Sequence, residues 1–585
     1  MAKTHARRHN PQRGTPQRAR QRAASAAPAS RATSARGFAA APAARLARWW
    51  GATRATLATT AGQRRAAWLL TALAIALDVL IVGAHVLQRH LGYHSEAFDL
   101  GNMDQAVWNT LHGHLLRFTN RGIDWYGPPI RLAVHVEPIL VLIAPLYLLH
   151  SGAETLLVLQ TVALALGAIP LLALALRRLP AAPLVGVCFV LAYLLAPELL
   201  GEAFYDFHPV VLATPLLLAA FWALDARRYG WLLLAGVLAA MCKEDVALAL
   251  VPLGAYIALR RERPRLGWSL ALGAAAWTAL CFFVIIPHFN GGASASGNAF
   301  WYRYTELGRT PKNAVRNIVT DPLLLLGVVF APGKLAYLGR LALTGGALSV
   351  FAPWWWLVAA PELAINLLST QEAQFSAFYQ YNAMLLPVLL VAGIHGVAAL
   401  VTAGAPDGAT APPPVRGARG GRAQAWRARQ AARVAAWWNG QLARLPLGRA
   451  LIYPLVAGWL VLATAVNLLL IQPKLSGFWH AGDGPAPDQA RIAALLARIP
   501  ARAVVAATDT LDPHLSDRET IYLLPDPQAY QAEYVAVDLP DVPPLLRPAE
   551  TAMVQRMVAS GHYVAVGTAG AVLVLRRVGT PLPPG

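Results

Sequence analysis

The sequence predicts an α-helical polytopic membrane protein with a small α/β domain at its C-terminal end. Of its 585 residues, 56% are hydrophobic and only 14% charged, far from the balance of soluble domains. Apolar runs approaching the ~20 residues that cross a bilayer recur along most of the chain. Beyond Gln472 the pattern changes to short strand-like runs alternating with helical ones.

Charge divides the chain further. The formal net charge is +20, but residues 1–65 alone hold fourteen Lys or Arg and no acid, and Val401 to Arg449 holds eight Arg against the single Asp407. Both stretches are rich in small residues and lack apolar periodicity. They read as a disordered basic cytoplasmic tail (1–65) and a disordered basic cytoplasmic loop (402–448) near anionic lipid, a reading favoured over nucleic-acid binding, so no nucleic-acid partner is expected. Cys188, Cys242 and Cys281 lie in apolar segments and form no metal-binding spacing.

The membrane domain is expected over 66–401, with a large outer loop at 89–154 and a last transmembrane helix at 449–471. Clear spans fall near 67–88, 155–176, 182–200, 209–224, 267–287, 383–401 and 449–471. Gly230 to Leu259 is thirty residues, ~45 Å as one helix and too long for one crossing. The sequence Cys242-Lys243-Glu244-Asp245 interrupts it, and Arg residues flank both ends, so it reads as a hairpin of two short helices with its acidic tip outside. Glu137 to Leu149 gives only about 20 Å of helix and is expected to lie along the outer face. Weaker crossings near 336–350 and 354–369 bring the count to about eleven, with the N-terminus inside. The C-terminal α/β domain, 480–585, is then extracytoplasmic. Its strands are expected at "RAVVAAT", "TIYLL", "AEYVAVD", "YVAVG" and "AVLVLRR", with helices near Pro487–Arg498 and Pro548–Ser560.

This topology gathers polar residues on one face. The first outer stretch carries Glu96, Asp99, Asp104, Arg121, Asp124, Arg131, His135 and Glu137; the second, "PELLGEAFYDFHP", carries Asp206 and His208; the hairpin tip carries Lys243, Glu244 and Asp245; the fourth includes Arg303. Charges near a bilayer core cost ~2.5–3.5 kcal/mol each on insertion scales, so they need polar neighbours or water. The hairpin tip is either solvated among headgroups or places Lys243 where it holds an anion such as a lipid phosphate. Asp99 is either the N-cap of the following helix or a functional acid. His135, Asp206, His208 and Asp99 come from separate loops that only the fold can bring together. Asp78, alone inside the first span, reads as an interhelical polar residue.

The motifs "FDLGNMDQAVWNTLHG", "HVEPILVLIAPLYLL", "FYDFHP", "KEDVAL", "PELAINLLS" and "DTLDPHLSDRETIYLLP", in that order, resemble the bacterial membrane proteins grouped as domain of unknown function 2079. The likeness covers roughly Ala67 to Pro525 apart from the basic loop. One departure is visible: the family's usual His-Phe-Ser-Pro is His135-Val136-Glu137-Pro138 here. More distantly, the layout is similar to the C-type glycosyltransferases, polytopic enzymes that take sugars from polyprenyl phosphates. That resemblance implies a first-loop acid at Asp99, a helix over 100–112 ending at Gly113, a juxtamembrane helix after Pro138, a second-loop acid at Asp206 and a phosphate-site lysine at Lys243.

The expectation is therefore an inverting transferase with lipid-linked sugar and membrane lipids as partners. Asp99 would act as base or metal-bound acid and Asp206 as its partner, with Lys243 and Arg303 on the phosphate. Glu244, Asp104, His135 and His208 complete the substrate-binding set. Hard carboxylate oxygens would suit magnesium or manganese, though no spacing demands a metal. The outer domain's His514 and Arg518 would recognise the acceptor or merely cap the membrane part. The rival is a transporter or an envelope assembly factor; against transport, no internal repeat is visible and the polar residues do not form a path through the middle.

Overall fold

A computed structural model describes residues 54–122, 127–259, 263–291, 299–376, 378–403, 449–471, 488–538 and 547–581, with Trp437 and Gly440. Most of the basic tail and of the 402–448 loop, together with Asp124, lies outside the described residues.

The chain from Thr59 onward opens with the 32-residue helix Thr60–Leu91. Thr59 caps it, its hydroxyl accepting the Gly62 N–H at 3.0 Å, and 32 residues without a proline or a turn let it continue for ~48 Å. Its flank bearing Leu69, Leu73 and Leu80 is exposed, a surface suited to lipid.

Four further helices are long and apolar enough to cross a membrane: Ala153–Arg178, Pro264–Phe289, Gln380–Thr402 and Leu451–Leu469. Two more segments qualify only as bent pairs, Pro183–Leu194 with Pro197–Phe204 at 44° and Pro322–Val329 with Pro332–Phe351 at 59°. The chain is thus a multi-pass helical membrane protein, with 5 to 7 candidate spans by length and composition among the described residues. The sequence count of eleven included pieces too short to qualify alone. Pro209–Asp225 and the two halves of the 229–259 segment are shorter apolar helices, and Trp356–Leu368 has only 13 residues.

The expected break is present: Tyr229–Ala240 and Ala247–Leu259 flank a segment that contains Lys243, Glu244 and Asp245. The second of these helices lies close against the Pro264–Phe289 span because small residues face each other: a Cβ on Gly254 would come within 2.6 Å of the Ala271 nitrogen, and one on Gly267 within 2.3 Å of the Ala258 nitrogen. Such positions let helix backbones approach where a larger side chain would hold them apart. The segment after Pro138 forms one short helical piece, Ile139–Ile143 running into Ala144–Leu148.

The C-terminal domain is a five-stranded mixed sheet. Its strands are β1 (Val505–Ala507), β2 (Ile521–Leu523), β3 (Tyr534–Asp538), β4 (Tyr563–Ala569) and β5 (Val572–Arg577), in the order β2-β1-β3-β5-β4. β1 runs parallel to β2 and β3, while β5 is antiparallel to β3 and β4. Side chains alternate between faces. Val505, Ala507 and Val574 pack with the Gln489–Leu496 helix and with Tyr93 of the polar stretch. Ala506, Val535 and Leu575 pack with Met553, Val554 and Met557 of the Arg547–Ala559 helix. One face of this sheet therefore shares a core with the segment that follows the first span.

Candidate functional site

The polar stretch after the first span does two jobs. One is docking. Thr119 exchanges two hydrogen bonds with Ile521 at the start of β2, its Oγ1 donating to the carbonyl at 2.6 Å and accepting the N–H at 2.9 Å. Asn120 Nδ2 donates to Asp512 Oδ1 at 2.7 Å, and Ser516 Oγ donates to Asp104 Oδ2 at 2.6 Å. His90 and Tyr93 lie against the His514 ring, with centroids 4.1 and 4.3 Å away. Arg518 turns inward, its guanidinium donating to the carbonyls of Leu515, Pro500 and Ala503. In this arrangement His514 and Arg518 hold the loop that joins the domain to the membrane part.

Asp104 belongs to this interface. It is fully buried between Ser516 and the Tyr147 hydroxyl, and burial raises its carboxyl to about 7 against those two donors. The structure does not place it with the other candidate residues.

Gly101 shows how close the contact is: a Cβ there would sit 2.1 Å from Asp512 Oδ1. Gly101→Ala should therefore destabilise the docked domain by about 1–3 kcal/mol, the range for overpacking a filled site. Thermal unfolding with limited proteolysis of the C-terminal domain checks this.

The other job centres on Asp99. It is the third residue of a single π-helical turn, Ala97–Gly101, a motif frequent at functional sites. Glu96 occupies the capping position, so Asp99 is free of that duty. Its Oδ2 accepts the Tyr205 hydroxyl at 2.8 Å, and its Oδ1 lies 3.1 Å from His208 Nε2. The His208 Nδ1–H in turn donates to the Asp206 carbonyl at 2.9 Å. Burial alone would raise the Asp99 pKa, but the His208 charge and close contact, the Tyr205 hydrogen bond and the Arg131 charge together carry it below the ordinary carboxylate value. Burial lowers His208, and Asp99 more than reverses this. Each group thus favours the charged form of the other, with the Asp99 side chain still 19% exposed.

Asp206 is fully buried and fully used. Its Oδ1 accepts Arg89 Nη1 at 2.6 Å and its Oδ2 accepts the Glu96 N–H at 2.7 Å. Glu96 is half-buried, and burial with the charges of Asp509, Asp206 and Asp99 raises it to about 7 despite Arg89.

A second cluster surrounds the hairpin tip. Lys243 Nζ donates to Asp245 Oδ2 at 2.7 Å. Glu244 accepts His135 Nδ1 at 2.8 Å and the Val136 N–H at 3.0 Å. Burial would raise Glu244, but His135, Lys243 and the Val136 N–H hold it down to about 2. Burial lowers Lys243, which the charges of Asp245, Glu244 and Glu362 outweigh, leaving it raised. The His135 ring stacks on Phe300 at 4.9 Å, and Arg303 lies over the same Phe300 at 4.5 Å and over Tyr381 at 5.7 Å. Among the described residues Arg303 pairs with no carboxylate.

A pH consequence follows for this tip. A carboxylate whose pKa is depressed on folding stabilises the fold above its ordinary value of 4.5 and ceases to do so as pH falls toward about 2. Hydrogen-exchange protection at 241–246, taken relative to the intrinsic exchange rate at each pH, should therefore fall as pH drops through that window and stay flat between pH ~5 and ~8.

The two clusters meet in the 131–137 segment. Arg131 donates to Glu137 at 2.8 and 3.1 Å and to Asn102 at 3.2 Å, and its charge reaches Asp99; His135, one turn on, holds Glu244. A second bridge is aromatic: Tyr205 meets Tyr379 edge-on at 5.0 Å, two residues before the Tyr381 that faces Arg303. Asp99, His208 and Asp206 thus form one cluster and His135, Glu244, Lys243 and Arg303 another, with the 131–137 segment running between them.

Sequence reasoning did not single out Arg89, Tyr205, Glu362 or Asp509. Arg89 reads as the basic end of a span, Tyr205 as one aromatic among many, and Asp509 follows its partner Ala97 by 412 residues, with no local signal.

Among the described residues no group of three or more His, Cys, Asp or Glu is set to hold a metal ion. Asp99 and Asp206 face separate partners, Tyr205 and His208 for the one and Arg89 and the Glu96 N–H for the other, so the described donors do not converge as magnesium or manganese would need.

Two solved structures are similar in shape. ArnT from Cupriavidus metallidurans bound to undecaprenyl phosphate aligns at 14% identity over 88% of this chain and 99% of that one, with a TM-score of 0.45. The same protein in its apo state gives 14%, 88%, 99% and 0.46. No curated protein matches the sequence. The profile described as "Predicted membrane protein (DUF2079)" matches residues 89–414, more than half of the sequence and the region that holds Asp99, Asp206, His208, Lys243 and Arg303. By that match the chain belongs to the DUF2079 family of membrane proteins.

Proposed function

We propose that this protein is a C-type glycosyltransferase, moving a sugar from a polyprenyl-phosphate donor to an acceptor hydroxyl at the extracytoplasmic membrane face. The shorter apolar helices would complete about eleven crossings in the bilayer, with the N-terminus cytoplasmic and the C-terminal domain outside. The observation that supports this reading is the 131–137 segment, which runs from the surroundings of the partly exposed Asp99 carboxylate to the hairpin tip, where His135 holds Glu244 next to Lys243 and stacks on the Phe300 ring that Arg303 covers. Group transfer from a phosphate needs that division: a base for the incoming nucleophile and positive charge for the leaving group.

In the proposed reaction, Asp99 takes the proton of the acceptor hydroxyl as its oxygen attacks the anomeric carbon. The bond from that carbon to the phosphate oxygen breaks, and its electron pair leaves with the polyprenyl phosphate. Attack opposite the leaving group inverts the anomeric configuration. Lys243 and Arg303 stabilise the charge that develops on the phosphate. His208 and Tyr205 hold Asp99 in position and charged until then. Asp206 positions the Arg89 and Glu96 ends of the same set. No step here uses a metal.

Removing the lysine charge tests this. Lys243→Gln should lower donor kcat/KM by about 10- to 100-fold, the worth of a hydrogen bond to a charged group. Lys243→Arg, which keeps the charge and the Asp245 contact, should retain most of the activity. Equal activity in all three proteins would remove Lys243 from the phosphate.

A further inference from the structure

One loop of the C-terminal domain grips both ends of the turn that carries Asp99. At the near end, the Ala97 N–H is shared between the Asp509 carbonyl at 3.0 Å and Asp509 Oδ1 at 2.9 Å. At the far end, Asp512 fills the space above Gly101, with its Oδ1 held by Asn120. Ala97 begins the five-residue π turn and follows Glu96, so Asp509 lies beside a carboxylate of the candidate site while fixing the backbone that presents the other.

We propose that Asp509 is a positioning residue of the candidate active site: it fixes the Ala97–Gly101 turn that presents Asp99 and sets a negative charge beside Glu96. The C-terminal domain then completes the site that the membrane domain begins. The inference rests on the transferase reading for what the site does; the placement of Asp509 stands on geometry.

Four charged groups act on Glu96: Asp509, Asp206 and Asp99 raise its proton affinity and Arg89 opposes them. Asp509 is itself pushed up to about 6, first by burial and then by Asp206 and Asp99, against the Ala97 and Phe98 N–H groups. Of the acids acting on Glu96, Asp206 is neutralised by Arg89 at 2.6 Å and Asp99 faces His208. That leaves Asp509 as the acid without a cationic partner among the described residues.

The test uses the full chain in lipid nanodiscs. Difference infrared spectra follow the Glu96 carboxyl through pH, identified by its loss in Glu96→Gln, and hydrogen exchange follows residues 97–101. Asp509→Asn, which keeps a side-chain acceptor for Ala97, should lower the Glu96 midpoint by about one pH unit with little change in exchange. Asp509→Ala should also speed exchange at 97–101 by about tenfold, the loss of one hydrogen bond. Glu533→Gln, exposed on the same domain, should do neither. Should Asp509→Ala not fold, Asp509→Asn still decides the question. An unmoved Glu96 midpoint in folded Asp509→Asn protein overturns the inference. The two ideas fail separately: a shifted midpoint in a protein that transfers no sugar sinks only the transferase reading, and an unmoved midpoint in an active enzyme sinks only this one.

Discussion

Asp99→Asn should reduce sugar transfer by about a hundred- to ten-thousand-fold, the usual worth of a positioned general base, while leaving the protein folded. The amide is nearly isosteric and still accepts the Tyr205 hydroxyl. It neither takes a proton nor offers His208 a negative charge. Losing the carboxylate removes what raises His208 most and leaves burial, which favours the neutral ring, against the Asp206 contacts. The fold therefore loses one ion pair whose carboxylate is partly exposed, a small cost beside the catalytic one. The check is release of free polyprenyl phosphate from its sugar-loaded form, alongside thermal unfolding of both proteins. Full activity in Asp99→Asn would falsify the assignment of the base.

Asp206→Ala should act the other way, on the fold before the rate. Arg89 is about nine-tenths covered and Asp206 wholly so, and the truncation leaves the guanidinium and the Glu96 N–H with no acceptor. Removing one partner of a buried ion pair destabilises by about 3–5 kcal/mol. Adding Arg89→Met should restore part of the loss, because the uncompensated charge then disappears. Unfolding midpoints of the two variants in one detergent decide it. A stable but inactive Asp206→Ala protein would return Asp206 to the catalytic role that its position in the second loop first suggested.

Asp206 also illustrates what a sequence conveys here. Its motif, "FYDFHP", is compact, and residue type alone makes Asp206 and His208 equally good candidates. Their roles separate only when Arg89, from the last turn of the first span, arrives at Asp206, and when the backbone turns His208 toward Asp99. The break at Lys243 was legible because four polar or small residues interrupt a run that hydropathy cannot place in one crossing. All five strands were legible because β-branched and aromatic runs alternate with helical stretches at short spacing. The number of spans was less so. Hydropathy reports how apolar a segment is, and Pro209–Asp225 and Trp356–Leu368 are as apolar as a crossing but not as long. Asp104 shows a different limit. It sits in the same motif as Asp99, yet five residues around a helix turn it toward Ser516, which only the docked C-terminal domain supplies.

The measurement that bears most directly on the account is an electron cryo-microscopy structure of the chain in nanodiscs with a bound polyprenyl-phosphate sugar. The account predicts phosphate density within hydrogen-bonding reach of Lys243 and Arg303, with the sugar directed along the 131–137 segment toward Asp99. Phosphate bound elsewhere on the protein, with Lys243 still closed on Asp245 and Arg303 still enclosed by its rings, would contradict it.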